Sequence, residues 1–154
     1  MEFFNAIRQG NVARLKAMVQ QDSTLVSKAD TRGFTPLIMA TYSEQVAVAQ
    51  FLLEAGADVN QQDASGNTAL MGIAFKGHEQ IIQLLLDHGA NINLQNHNGS
   101  TALIFAATFG QTATVSALLT AGADPSIQDA EGKTASAHAK EKGNSELVAI
   151  FENL

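Results

Sequence analysis

Apolar residues in this chain come in short bursts at helical spacing, and the bursts return on a fixed interval. In the clearest stretch Leu70, Ile73 and Ala74 share one side of a short helix. A few residues on, Ile81, Ile82, Leu84, Leu85 and Leu86 make a second helix, too apolar around its circumference to lie on a surface. Gly77 between them can end the first helix in the left-handed conformation. Ahead of the pair, Asp63-Ala-Ser-Gly66 has the composition of a tight turn, and Thr68 stands where a helix N-cap belongs. Gly89 closes the second helix, and Asn91-Ile-Asn-Leu extends into the next turn. The predicted unit is helix, tight turn, helix, then a projecting hairpin.

That unit is copied along the chain. Asp30, Asp63, Asn96 and Asp129 recur 33 residues apart, followed each time by a glycine (Gly33, Gly66, Gly99, Gly132) and a threonine (Thr35, Thr68, Thr101, Thr134). Gly56, Gly89 and Gly122 mark the helix ends later in the period. A period of this size means one supersecondary unit stacked on itself. Neither helix of a unit reaches the ~12–15 residues needed for independent stability, so each is buried by its neighbours and the array folds cooperatively. The chain therefore reads as one mainly α domain over 1–154: a first cap at 1–29, full units at 30–62, 63–95 and 96–128, and a last cap at 129–154. The first cap begins in a helix running from Met1 toward Gly10, and its Asp22 to Ala29 loop carries one inserted residue. In the last cap polar Ser136, His138 and Lys140 replace apolar neighbours, while Leu147, Val148, Ile150 and Phe151 still point inward. On this reading the five units form a complete array.

Thr35-Pro36-Leu37, the run from Leu52 to Asn60, its cousin from Leu84 to Asn93, and Gly77-His78 between two helices together resemble the ankyrin repeat. The resemblance spans 30–154 in unbroken register and 1–29 more loosely. It implies an ankyrin repeat solenoid of helix-turn-helix units joined by β-hairpin loops, working as a protein-interaction module. Two departures stand out. The family's usual histidine after Thr-Pro-Leu is replaced by Ile38, Met71, Ile104 and Ala137, which implies a greasier joint between units. Glu44-Gln45 replaces the Gly-His of the turn between helices, so either Glu44 adopts a left-handed conformation at a cost of ~1–2 kcal/mol or the loop is rebuilt, and an irregular loop is expected there.

Composition narrows the function. A net charge of −6 argues against a general nucleic-acid binder, which needs a basic face for phosphate. Between residues 33 and 132 Lys76 is the only cation, against nine carboxylates, and this acidic middle favours a basic or mixed protein partner. The absence of cysteine excludes disulfides, thiolate catalysis and Cys-ligated zinc. No apolar run approaches the ~18 residues of a membrane span. The amino terminus does not read as a basic-then-apolar leader, so a cytoplasmic monomer is the default, and a secreted or periplasmic one follows only from a signal already removed.

Several motifs invite chemistry and have simpler explanations. His78-Glu79 opens like a zinc-protease motif, but Ile82 stands where the second ligand is needed. Gly132-Lys133-Thr134 resembles the end of a phosphate loop, yet Ile127 occupies the place of its leading glycine. Asn98-Gly99-Ser100 is formally a glycosylation sequon and equally a hairpin tip. His88 and His97 could approach each other, with no third ligand aimed at them. No nucleophile elbow or base–orienter set is visible, so neither an enzyme nor a metal or cofactor is expected.

The surface remains. In the family, partners usually dock on the hairpin tips and the exposed face of the first helices. Carried onto this chain, those positions hold Arg32, Phe34, Asn67 and His97 at tips, and Tyr42, Phe75, Lys76 and Phe109 at helix ends. Aromatics and arginine are enriched among residues that dominate binding energy. The expected site is thus an aromatic stripe of Phe34, Tyr42, Phe75 and Phe109 edged by Arg32, Lys76 and His97. Tyr42, Phe75 and Phe109 could instead simply cover the first-helix layer. The leading function is a non-catalytic adaptor, scaffold or inhibitor. Two alternatives are an accessory role in stress or oxidative defence, suggested by similarity to small bacterial ankyrin proteins, and modification of Asn60, which resembles sites of asparagine hydroxylation in animal ankyrin repeats.

Overall fold

The computed structural model describes residues 2–154; Met1, placed in the first helix by the sequence pattern, lies outside them. Among the described residues ten short α-helices pair through tight turns: α1 (Glu2–Arg8) with α2 (Val12–Gln21), α3 (Pro36–Tyr42) with α4 (Val46–Glu54), α5 (Ala69–Lys76) with α6 (Glu79–Asp87), α7 (Ala102–Thr108) with α8 (Thr112–Thr120), and α9 (Ala135–Glu141) with α10 (Ser145–Glu152). The first helices pack in sequence, α1 on α3, α3 on α5, α5 on α7 and α7 on α9. The second helices form the other layer, with α2 against α4, α4 against α6 and α8 against α10. Leu15, Val48, Leu52, Ile73, Ile81, Leu85, Val115, Leu118 and Leu147 are wholly buried between the layers.

Each unit starts the same way for the same reason. The Oγ1 of Thr35, Thr68, Thr101 and Thr134 accepts from the N–H of Ile38 (3.1 Å), Met71 (3.3 Å), Ile104 (3.2 Å) and Ala137 (3.2 Å), satisfying a donor the helix cannot satisfy itself. The tips ahead of them are held by the recurring Asp or Asn. Asp63 Oδ1, for example, accepts from the N–H of Ser65 and of Asn67, both at 2.9 Å. Each tip closes on two backbone bonds, such as Asp63 N–H to the Asn67 carbonyl and Gly66 N–H to the Asp63 carbonyl, both at 2.9 Å. The connections are therefore hairpin-like turns, and no strand forms among the described residues.

Units are joined by apolar contact and by reaching polar side chains. Ile38, Met71 and Ile104 are buried at the joint, as the loss of the family histidine implies. Gln111 Nε2 donates to the Phe75 carbonyl at 2.9 Å, and Gln45 Nε2 to the Arg8 carbonyl at 3.0 Å, so these two turns cap the previous unit's first helix. Successive tips also bond: His97 N–H donates to the Ser65 carbonyl (3.1 Å) and Ala130 N–H to that of Asn98 (2.9 Å).

Two expectations need correction. The turn at Glu44 is not irregular. Glu44 takes φ 57°, and its loop makes the bonds its glycine-bearing counterparts make: Glu44 N–H to the Thr41 carbonyl at 2.9 Å and Gln45 N–H to that of Ala40 at 2.9 Å, matching Gly110 to Ala107 and Gln111 to Ala106. Packing on the neighbouring units imposes the left-handed residue instead of rebuilding the loop. The stretch after α2 is likewise not an open loop. Ser23–Ser27 forms a 3-10 turn that buries Val26, started by Asp22, whose carboxylate accepts from Thr24 N–H at 3.0 Å.

A glycine at position 44 should relieve the left-handed strain of about 1–2 kcal/mol. Roughly half of that is offset by the extra freedom glycine gives the unfolded chain. Glu44→Gly is therefore expected to raise Tm by about 2–3 °C in a thermal melt. A lower Tm would mean that the Glu44 side chain contributes more than its backbone costs.

Candidate protein-interaction face

The first helices and the tips together present one continuous face, and the aromatic side chains stand on it. Tyr42, at the end of α3, is 47% exposed, and Phe109, just past α7, is 51% exposed. The Phe75 ring meets the Phe109 ring edge to face, centroids 4.4 Å apart and planes at 78°. Lys76 Nζ sits 4.4 Å from the Tyr42 ring centroid and donates to the Tyr42 carbonyl at 2.7 Å. At the first tip the Arg32 guanidinium lies 5.0 Å from the ring centroid of half-buried Phe34 and 3.5 Å from Asp30 Oδ2. Such cation–ring pairs hold flexible cations in place over an aromatic surface.

Two adjoining hollows open between these side chains. One, of about 430 Å³, is lined by Arg32, Phe34, Met39, Tyr42, Asn67 and Gly72, among others. The other, of about 280 Å³, lies among Tyr42, Asn67, Gly72, Phe75, Phe105 and Phe109. Of the eight residues singled out in the sequence, six line the hollows and Lys76 sits over the shared Tyr42. His97 does not join them; it is exposed on its tip, its ring lying over Gly66. Asn67 has a structural task as well, because its Oδ1 accepts from Asn96 Nδ2 at 2.8 Å. Sequence reasoning missed Met39, Gly72 and Phe105. Their signal was available: they occupy one register position 33 residues apart, and it changes from Met to Gly to Phe.

The acidic excess falls mostly elsewhere. Glu54 borders a hollow on the second-helix side with Lys16 and Phe51, and Glu79 and Asp87 sit at the two ends of α6. Asp58 accepts from Asn60 N–H at 2.8 Å, and Asp124 from Ser126 N–H at 2.9 Å, within their own turns. On the groove itself Asp63 is the carboxylate, and its Oδ1 already accepts two N–H bonds. Charge is divided along the face: Arg32 and Lys76 stand beside Phe34 and Tyr42, while Asp129 and Glu131 line a further hollow of about 450 Å³ with Phe105 and Phe109.

The other motifs are occupied structurally. His78 caps α6, its Nδ1 accepting from Ile81 N–H at 3.4 Å. Thr134 caps α9, and His88 Nδ1 lies 2.9 Å from the Leu84 carbonyl. Asn60 Oδ1 accepts from Asn91 N–H at 2.7 Å, so this side chain ties its unit to the next. Among the described residues no three His, Asp or Glu side chains converge, and no helix is long and apolar enough to cross a membrane.

Stacked helix pairs with capped tips and an open apolar face define a helical repeat protein. The sequence model of the family described as "Ankyrin repeats (3 copies)" matches residues 3–63 and 56–129. The chain belongs to the ankyrin repeat family. It is 39% identical over 61 residues to the ankyrin repeat and SAM domain-containing protein 6 of Danio rerio, covering 40% of this chain and 8% of that protein. It is 46% identical over 50 residues to the human DNA-binding protein RFXANK, covering 32% of this chain and 19% of that protein. To human ankyrin repeat family A protein 2 it is 40% identical over 50 residues, covering 32% of this chain and 16% of that protein. The matched segments span less than a fifth of the length of these relatives.

The tips carry a pH signature. Partial burial pushes the Asp30 and Asp129 carboxyls up. Hydrogen bonds outweigh it: Phe34 and Arg32 N–H on Asp30, and Lys133 N–H, the His138 ring (2.7 Å) and Glu131 N–H on Asp129. Both carboxyls are held below the ordinary aspartate value. The folded state then binds fewer protons than the unfolded one, so this stabilisation is present above about pH 4 and fades as pH falls further. Asn96 makes the same tip bonds, to Asn98 N–H (3.0 Å) and Ser100 N–H (2.9 Å), without a charge. An Asp30→Asn/Asp129→Asn variant is therefore expected to fold and to lose less Tm than the parent between about pH 5 and pH 3. Parallel Tm–pH curves would refute that origin.

Proposed function

We propose that this chain is a non-catalytic protein-interaction module that holds a partner protein against the face built by its tips and first helices. Arg32, Phe34, Tyr42, Asn67, Phe75, Lys76 and Phe109 form the contact surface, and His97 extends it at a tip. The observation that carries the reading is the exposure of Tyr42 and Phe109 around two apolar hollows, when among the described residues the other large hydrophobics, the terminal Leu154 apart, are buried or half-buried. Large rings held out to solvent around concave apolar space are what interface anchors and their pockets look like. Ankyrin repeats are in general protein-binding modules, and the face fits that role.

The DNA-binding description belongs to human RFXANK. A duplex is not the partner proposed for this chain, because its net charge is −6 and a phosphate track needs a basic stripe. The module acts as a monomer in the cytoplasm on this reading, with no cofactor and no membrane contact.

The test is affinity capture from native lysate by the parent protein and by a Tyr42→Ser/Phe109→Ser variant, with mass spectrometry of what is lost. Half-exposed rings contribute little to the core, so the variant's Tm is expected within about 3 °C of the parent. Proteins captured through this face are expected to drop roughly tenfold or more. Equal capture by both proteins, or a larger fall in Tm, would favour the alternative that the rings only cover the first-helix layer.

A further inference from the structure

Eleven of the twelve glycines have a positive φ that a side chain would strain; the exception is Gly72, inside α5. A Cβ built on Gly72 meets only Tyr42 Cδ2, at an ordinary 3.7 Å. Neither the backbone nor the packing asks for glycine there, and glycine inside a helix weakens it relative to alanine. The same register position holds Met39 in the preceding unit, Phe105 in the following one and His138 in the last. The repeat therefore accepts large side chains at this point. What the missing one creates is space: both hollows on the face reach Gly72, one of about 430 Å³ and the other of about 280 Å³. They share Tyr42, Asn67 and Gly72, so a continuous groove crosses α5 at its bare point.

The charges beside that groove choose among occupants. Lys76, over the Tyr42 ring, has no carboxylate within ion-pair distance among the described residues. Arg32, which lines the groove beside Phe34, is largely exposed and reaches Asp30 at 3.5 Å. Asp63 is the acid lining the groove, and its Oδ1 is committed to the N–H groups of Ser65 and Asn67. A carboxylate next to an apolar anchor would find in Lys76 an ammonium that gives one donor to the Tyr42 carbonyl and has others left, whereas an ammonium or guanidinium would meet like charge.

We propose that the gap at Gly72 is a socket for one bulky apolar side chain of a linear peptide segment whose neighbouring Asp or Glu pairs with Lys76. This rests on the protein-binding reading above and names the chemistry of the partner. It reverses the sign expected from the charge count along the chain, because the acids that dominate that count stand away from the groove or inside turns. The aromatic walls supply the apolar contact, and Lys76 supplies the choice of sequence.

The experiment is selection of a display library of random linear peptides on the immobilised protein, followed by titration of the selected peptides against variants. Selected peptides are expected to pair a large aliphatic or aromatic residue with Asp or Glu. Gly72→Met places in the socket the side chain already accepted at Met39, so it is expected to hold or raise Tm while weakening these peptides roughly tenfold or more. Gly72→Ala, which adds a methyl at ordinary contact distance, is expected to weaken them by a smaller factor and serves as the readout should Gly72→Met lower Tm. Lys76→Glu is expected to weaken the acidic peptides, and selection on that variant to enrich Lys and Arg. Failure to enrich any peptide, enrichment of basic peptides on the parent, or equal binding by both Gly72 variants overturns the socket. Peptides lost on Tyr42→Ser/Phe109→Ser yet kept by both Gly72 variants would overturn the socket while supporting the face. Peptides kept by every variant would overturn both.

Discussion

Burial of one unit's helices by the next is the interaction on which this molecule depends. Its longest helix is α2, Val12–Gln21, and most have seven to nine residues, below the length at which a helix persists alone in water. Leu70, Ile73, Ile81 and Leu85 have nowhere to hide within their own helix pair, yet all are buried in the stack. The polar groups follow the same logic. Gln45 and Gln111 cap the helix of the unit before them, and Asn60 binds the backbone of the unit after. Stability is therefore a property of the joints, and a change at one unit is felt first by its neighbours.

A stack held this way has two broad sides, and the exposed rings of Tyr42 and Phe109 stand on one of them. The tips are closed by Asp30, Asp63, Asn96 and Asp129, which take up backbone donors that would otherwise need water. The second tip is then bonded to the third, and the third to the fourth. The proposed contact residues thus stand on a frame that would need little ordering before it meets a partner, which lowers the entropy lost on association. The same rigidity makes Gly72 consequential. A missing side chain in a mobile loop would be filled by collapse, but here the flanking Met39 and Phe105 belong to helices that packing holds apart.

Electrostatics are sorted by the fold in a way that net charge hides. Carboxylates at Glu54, Glu79 and Asp87 face away with the second helices, and those at Asp58 and Asp124 serve their turns. The cations near the groove are few but pinned over rings, Arg32 on Phe34 and Lys76 on Tyr42. A protein of net charge −6 therefore still places two cations over rings beside its apolar groove.

Most of the architecture was legible before any coordinates, because a 33-residue period written in Asp/Asn, Gly and Thr encodes local turn and cap geometry repeated in register. Thr68 as an N-cap, Gly77 as a helix stop and the buried Ile38–Met71–Ile104 joint all follow from neighbours in sequence and from one stacking rule. The eight proposed contact residues came from the same register, and seven fall on or beside the hollows. Their roles did not. That Asn67 would be bonded to Asn96, that His97 would stand apart, and that Phe75 would lean on Phe109 depend on side chains about one period apart meeting across a joint. Glu44 keeping a glycine's conformation was likewise decided by packing, which overrode a local preference. The groove at Gly72 belongs wholly to tertiary structure: the chain names each residue, but the space between three helices exists only once the joints have set their distance and angle.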